Sequence, residues 1–361
     1  MPEAFRNDDE RLRSEVDRVM KERTEHGLEG LVGGLESVVI NTQPERQKDA
    51  VQEVLNTTGY VFEQAFERDG IRTCVLKKDG SADMLVTSRL VGENPFRPVN
   101  RGPKGDAMPD TRLETLVFKC PRLEEAVAIQ KKRGVRFLTE EPVRTPSFLF
   151  MQTEPSPYTG NSVGYLQWLD GEGAYRPDDA QRLDWHFEKP DWPHLRDVHE
   201  LDHAATRVRA EERDKAIIEF MELTNYHFDF AIYVEALNSI TNVARLSAED
   251  FAMVFTSGIE PFKSVEESGP TELFIHNYNT RVHHLAFRTE NIEKTFDALV
   301  EHGMEFLVEL VGSPEEGLKQ TFTRPMPSTF IVNEYIHRYG DFDGFFTQSN
   351  VTMLTKATER Q

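Results

Sequence analysis

The chain has 361 residues, 38% of them hydrophobic and 29% charged, with a formal net charge of -20. That length exceeds one ordinary core and suits two domains, and no apolar run reaches the roughly 18 to 20 residues needed to cross a bilayer. A surface this acidic repels phosphate backbones and anionic headgroups, so neither nucleic acid nor a membrane is an expected partner.

The first ten residues, Met1 to Glu10, are polar and acidic and do not resemble a signal peptide. Cys74 and Cys120 cannot build a disulfide framework and read as free thiols in a reducing compartment, so a cytoplasmic location is expected. Residues 1–33 are expected to form an N-terminal cap around a charged, solvated helix, Asp8 to Thr24. A first domain then spans 34–175. A linker rich in Pro, Asp and Trp covers 176–198, and a second domain covers 199–361.

The two domains repeat one another at an offset of about 168 residues. Thr115 to Glu140 aligns without a gap under His284 to Glu309, with Leu116, Phe118, Glu124, Gly134, Phe137, Leu138 and Glu140 meeting identical residues. Leu35 to Glu63 runs beside Leu201 to Asp229 in the same way, and Leu35, Ala50, Tyr60 and Phe62 face Leu201, Ala216, Tyr226 and Phe228. Each segment reads as an apolar strand, then a helix, then further strands. In the last unit Val282 to Phe287 is a strand. Ile292, Phe296, Leu299 and Val300 form a helical stripe that stops at Gly303, and strands follow at 304–310, 318–323 and 329–337. The expected fold class is α+β, with tandem βαβββ modules, two per half, forming two open, barrel-like domains.

The repeat also serves as an internal control, because a polar residue found at a strand position in one half only is a candidate for function. His203 faces Ser37, His284 faces Thr115, and Glu334 is placed opposite Tyr165. Two histidines and one carboxylate on one face of a metal leave three positions open, the arrangement suited to Fe(II) oxygenases. A lone strand histidine is more often a hydrogen-bonded core residue. Three ligand-type residues confined to one half of a duplicated chain weigh against that reading. His283 and His284 are adjacent and strand side chains alternate, so only one points to the metal. The pattern leans to His284, which shares a face with Val282 and Ala286.

These motifs resemble those of the 4-hydroxyphenylpyruvate dioxygenase and hydroxymandelate synthase family of the vicinal-oxygen-chelate superfamily. The resemblance rests on Leu201-Asp202-His203, on Val282 to Phe287 with Arg288 to Ile292, and on Glu334 to Arg338. Further support comes from Ala236 to Ser239, Gln320 to Pro325, and Gly344-Phe345 through Asn350. It covers the second half well and the first half in architecture alone. The family's ligand precedes an apolar residue and a small one, so His284 carries over as the ligand. The resemblance implies Fe(II) held by His203, His284 and Glu334, with a 2-oxo acid and O2 as co-substrates. It implies oxidative decarboxylation and hydroxylation of what remains. Gln320 and Ser239 carry over as residues of the reaction site. Ser239, Ser257, Ile259, His283, Gln320, Phe322, Val332, Phe345, Phe346 and Asn350 carry over as the substrate pocket.

The departures concern the far end of that pocket. Ser257 and Ile259 stand where enzymes acting on 4-hydroxyphenylpyruvate have proline and asparagine. His283 replaces a glutamine, another glutamine has no match near Gly269, and Val332 replaces an aromatic residue. A site built to hydrogen-bond a hydroxyl loses discrimination steeply when its partners go. A more apolar substrate tail or a changed position of oxidation is therefore expected. The alternatives are benzylic hydroxylation of the hydroxymandelate synthase type, an extradiol catechol dioxygenase, and a non-catalytic ligand-binding module of the same fold. A homo-oligomer is compatible with each.

Overall fold

In a computed structural model, which describes residues 5–340, 342 and 344–361, the strand–helix–three-strand unit occurs four times. Residues 1–4 of the expected cap lie outside the described residues. Helix α1 (Asp9–Glu25) comes first. The first module is β1 (Leu35–Asn41), α2 (Gln47–Thr57), β2 (Val61–Arg68), β3 (Ile71–Lys77) and β4 (Asp83–Arg89). The second is β5 (Arg112–Lys119), α3 (Leu123–Lys132), β6 (Val143–Arg144), β7 (Phe148–Gln152) and β8 (Ser162–Trp168), followed by a further strand β9 (Gln181–Leu183). The third is β10 (Val198–Arg207), α4 (Arg213–Leu223), β11 (His227–Val234), β12 (Ser239–Arg245) and β13 (Ala252–Ser257). After α5 (Pro270–Tyr278), the fourth is β14 (Arg281–Thr289), α6 (Ile292–Glu301), β15 (Phe306–Ser313), β16 (Leu318–Thr323) and β17 (Val332–Arg338), and α7 (Gln348–Ala357) closes the chain.

Among the described residues the strands form two sheets. Their orders are β6-β7-β8-β5-β1-β4-β3-β2-β9 and β11-β12-β13-β10-β14-β17-β16-β15. Within each module the first strand lies parallel to the last, and the two modules of a half join antiparallel through β1/β5 or β10/β14. The result is a pair of curled half-barrels, the α+β vicinal-oxygen-chelate fold. Gly303 ends α6 at φ +85°, in the left-handed region that lets the chain leave a helix without a Cβ penalty.

The halves share one core. Tyr165 donates to the Leu223 carbonyl at 2.7 Å and its counterpart Tyr335 donates to the Thr57 carbonyl at 2.8 Å, so each half anchors a tyrosine in the other. Two expectations are corrected. Helix α1 is packed rather than solvated. Leu12 and Val19 are buried, and buried Arg23 donates to the carbonyls of Met221, Thr224 and Tyr226. The segment 176–198 is not a free linker, because β9 adds to the first sheet beside β2 and Trp185 lies under the cations of Lys48 and Arg72. Its two tryptophans, Trp185 and Trp192, and its pairing strand give it more to bury than a spacer has.

Candidate metal centre

Strand parity brings the ligand-type residues together. His203 on β10 pairs with Ala286 on β14, and Ala286 pairs in turn with Glu334 on β17. His284 precedes Ala286 by two residues, on the same strand and the same face. The three side chains therefore surround Ala286, whose single methyl group leaves space above it. His203, His284 and Glu334 are all buried. Nε2 of His203 and Nε2 of His284 each stand 3.1 Å from Oε2 of Glu334. Adjacent ligands about 2.1 Å from an octahedral cation lie about 3.0 Å apart, so these separations fit such an ion. Among the described residues this is the one group of three or more His, Cys, Asp or Glu side chains with converging ligand atoms.

Each ligand is oriented through its other atom. His203 Nδ1 meets Asp202 Oδ2 at 2.7 Å, and Arg338 holds Asp202. An Nδ1–H donated to that carboxylate leaves the Nε2 lone pair free for a metal. His284 Nδ1 meets His283 Nδ1 at 2.8 Å, and His283 Nε2 meets Gln361 Oε1 at 3.0 Å. A consistent set of tautomers has His284 donating from Nδ1 and His283 donating from Nε2, which again frees His284 Nε2. Gln320 Nε2 donates to Glu334 Oε1 at 2.5 Å, and Asn350 donates to Gln320 Oε1 at 2.9 Å.

The electrostatics fit a cation. Burial penalises charge on His203, yet Glu334 and Asp202 outweigh it and push its pKa up to about 9. Asp202 is held well below the usual carboxylate range. Burial opposes this, but Arg338 and His203 prevail. Burial and then the neighbouring His283, His203 and Arg207 keep His284 neutral, the form that ligates. The pocket draws a proton onto His203, which is the charge that a metal ion would supply instead.

The first half departs from this at every position, and one alignment is corrected. The pairs Ser37–Val117 and Val117–Gly164 match His203–Ala286 and Ala286–Glu334. Glu334 is therefore the counterpart of Gly164, one residue from Tyr165. A Cβ at Gly164 would lie 3.0 Å from Thr115 Cγ2 and 3.1 Å from Phe150 Cε2, so the first half has no room for a glutamate at this position without a shift of these neighbours.

A cavity of about 40 Å³ adjoins the triad, lined by Arg207, Thr241, Thr256, Phe322, Phe346 and Leu354 among others. Of the residues expected there, Gln320, Phe322 and Phe346 line it. Phe345 packs on the His203 ring at 5.5 Å, and Asn350 lies behind Gln320. Ser239 sits a step away and meets Thr271 Oγ1 at 3.1 Å. His283, left unpaired at an irregularity of β14, does not line the cavity, and its ring lies 5.1 Å from Phe274 and 5.7 Å from Phe322. Ser257, Ile259 and Val332 do not line the cavity. Ser257 follows Thr256 and so turns to the other face, the Ile259 carbonyl accepts from the Asn7 amide, and Val332 packs behind Phe322. The expected polar-to-apolar exchange at these three positions therefore does not shape the wall. Sequence reading passed over Arg207, Thr241, Thr256 and Leu354. The signal for Arg207 was present, since His203, Ala205 and Arg207 alternate onto one face of one strand.

No family model matches the chain, and no curated protein matches it. Solved structures do. A triple variant of 4-hydroxymandelate synthase from Streptomyces coelicolor superposes with a TM-score of 0.67 at 17% identity, over 91% of this chain and 98% of that one. A fusion of a xylose isomerase-like TIM barrel with 4-hydroxyphenylpyruvate dioxygenase gives 0.62 at 12% identity, over 97% of this chain and 58% of the fusion. A halotolerant catechol dioxygenase gives 0.53 at 11% identity, over 87% and 90%. All three share the fold.

Proposed function

We propose that this protein is an Fe(II)-dependent dioxygenase that oxidatively decarboxylates and hydroxylates a 2-oxo acid. One observation carries the reading. Asp202, His283 and Gln320 each engage one atom of a ligand residue, and the three atoms left over, two Nε2 and one Oε2, converge at 3.1 Å. A three-residue set of this kind holds Fe(II), which when bound offers open positions for a chelating 2-oxo acid and for O2. The names of the three structural neighbours, each a dioxygenase or a synthase of this fold, agree with that class.

The chain's own residues then do the following. Gln320 holds Glu334 by its outer oxygen and is itself held by Asn350, so the carboxylate cannot rotate away. Phe322, Phe345 and Phe346 crowd the histidine rings at 4.7, 5.5 and 5.2 Å and keep bulk water from the centre. Helix α7 contributes Val351, Leu354 and Thr355 as the outer wall. Ser239 acts at one remove, through Thr271.

The test is anaerobic reconstitution with Fe(II), followed by a screen of 2-oxo acids for O2-dependent CO2 release, with catechols as controls. CO2 release from a 2-oxo acid that Glu334→Ala abolishes is expected. Ring cleavage of a catechol with every 2-oxo acid inert would overturn the reading in favour of an extradiol enzyme.

A further inference from the structure

Arg207 is buried in the wall of the metal cavity, with its guanidinium over the Phe274 ring at 5.9 Å and with no anionic partner. Its Nε has no hydrogen-bond partner, its one polar contact is Thr271 Oγ1 at 3.5 Å, and no carboxylate lies within 4.0 Å among the described residues. Arg281 is as buried and has the Thr111 carbonyl and the Phe330 ring, with Nη1 left unpartnered, while the three more deeply buried arginines are better provided for. Arg213 pairs with Asp9, Arg23 has three carbonyls, and Arg112 has Asn100 together with the carbonyls of Val99, Thr159 and Thr280. Burying a cation with no partner costs several kcal/mol, so a chain does not keep one without a compensating role.

Its position suggests that role. Along β10 the side chains of His203, Ala205 and Arg207 share a face, which puts Arg207 about 13 Å along the strand from the ligand at roughly 3.3 Å per residue. The register with β13 is unbroken over that stretch, and Arg207 pairs with Thr256, which pairs with Thr241 on β12. A guanidinium and two hydroxyls therefore form a polar rung at one end of the cavity, with the metal triad at the other. Between them lie Ala205, Val243 and Val254, packed together as an apolar floor. The sequence of surfaces is metal ligands, hydrocarbon, cation.

We infer that Arg207 receives a second anionic group at the far end of the substrate, so that the substrate is a short 2-oxo acid carrying a terminal carboxylate. This rests on the 2-oxo acid reading above. The fork of donors on a guanidinium matches a carboxylate, with Thr256 and Thr241 available to the same oxygens. A cavity of about 40 Å³ suits a methylene chain, since a single water already needs about 10–15 Å³.

The test uses four five-carbon probes on the Co(II)-loaded, full-length protein, read by calorimetric Kd. They are 2-oxopentanedioate, 2-oxopentanoate, pentanedioate and pentanoate. One comparison isolates the terminal carboxylate and the other isolates the 2-oxo group. Wild type is expected to bind each diacid about 10- to 100-fold more tightly than its monoacid, the range a charge-assisted hydrogen bond confers. Arg207→Met is expected to erase that ratio and leave monoacid affinity within about threefold. Arg207→Lys is expected to restore part of it. The metal-free Arg207→Met protein is expected to melt no lower than wild type, because an unpaired buried charge has been removed. Equal affinity for diacid and monoacid in wild type, equal losses for both in Arg207→Met, or a marked fall in its melting temperature would overturn the proposal. If the 2-oxo acids bind no better than the plain acids while the diacid preference persists, the 2-oxo acid reading fails and the role of Arg207 stands. If none of the four probes binds, both fail.

Discussion

His283 and His284 are neighbours at an irregularity of β14, where Ala205 pairs with His284, Thr206 pairs with Val282 and His283 is left over, and the two Nδ1 atoms meet at 2.8 Å. One proton shared across that contact fixes which nitrogen of His284 is free. The pair therefore divides the work between a metal ligand and the group that sets its tautomer. His284→Ala should lose the metal, whereas His283→Ala should retain it with affinity reduced about 10- to 100-fold, the usual cost of removing such an outer partner. Metal content after equilibrium dialysis, with one ion per chain expected in wild type, checks both. Loss of metal in His283→Ala with retention in His284→Ala would place the ligand one residue earlier.

Ala286 lies at the centre of the triad, between His203 and Glu334 on the two flanking strands. A larger side chain there would fill the space in which the three ligand atoms converge. Ala286→Leu should abolish metal binding while leaving all three ligands in place, at an overpacking cost of about 1–3 kcal/mol. The readout is the rise in melting temperature on adding Co(II). At 100 times Kd this corresponds to about 2.7 kcal/mol in wild type, and it should vanish in the variant. An unchanged metal-induced shift would mean the ion does not sit over Ala286.

Glu219 on α4 accepts a hydrogen bond from the Ser156 hydroxyl across the junction of the two halves. Burial pushes its pKa from 4.5 to about 7, against the pull of Ser156. A carboxyl with a raised folded-state pKa stabilises the fold most when protonated in both states, and that contribution is lost as pH rises from about 4.5 through 7. Glu219→Gln should therefore match wild type near pH 4.5 and exceed it at pH 8, by up to about 3 kcal/mol. Urea denaturation at the two pH values measures this. A variant that is equally stable or weaker at pH 8 would show that the carboxylate is better solvated there than its burial implies.

The cavity beside the triad is narrow, with Phe322, Phe346 and Leu354 on its walls. A phenol ring has little room there unless these side chains move. Incubation of the Fe(II)-loaded protein with 4-hydroxyphenylpyruvate and with phenyl and aliphatic 2-oxo acids, followed by mass spectrometry, should show homogentisate as a minor product or none. Clean, efficient homogentisate formation with the other acids inert would contradict the cavity seen here.

Much of this was open to reading in the chain itself, because its signals are local or periodic. Strand alternation, the stripe of α6 with its stop at Gly303, and the offset repeat are properties of neighbouring residues, and they predicted four βαβββ units. The repeat also singled out His203, His284 and Glu334, since a histidine facing Ser37 or Thr115 stands out without any coordinates. Other features depended on which strands lie side by side. Glu334 matches Gly164 rather than Tyr165, a shift of one residue that reverses a side chain's face and is decided only by the pairing of β14 with β17 and of β5 with β8. Ser257, Ile259 and Val332 carried weight by position in a motif, yet none lines the cavity: Ser257 turns to the other face of β13, and Val332, although paired with His284, is covered by Phe322 and Leu354. Arg207 drew no functional reading from the sequence, although strand alternation puts it on the face of His203. Only the packed fold shows it buried and without an anionic partner, because burial and the lack of a partner depend on everything that surrounds a side chain.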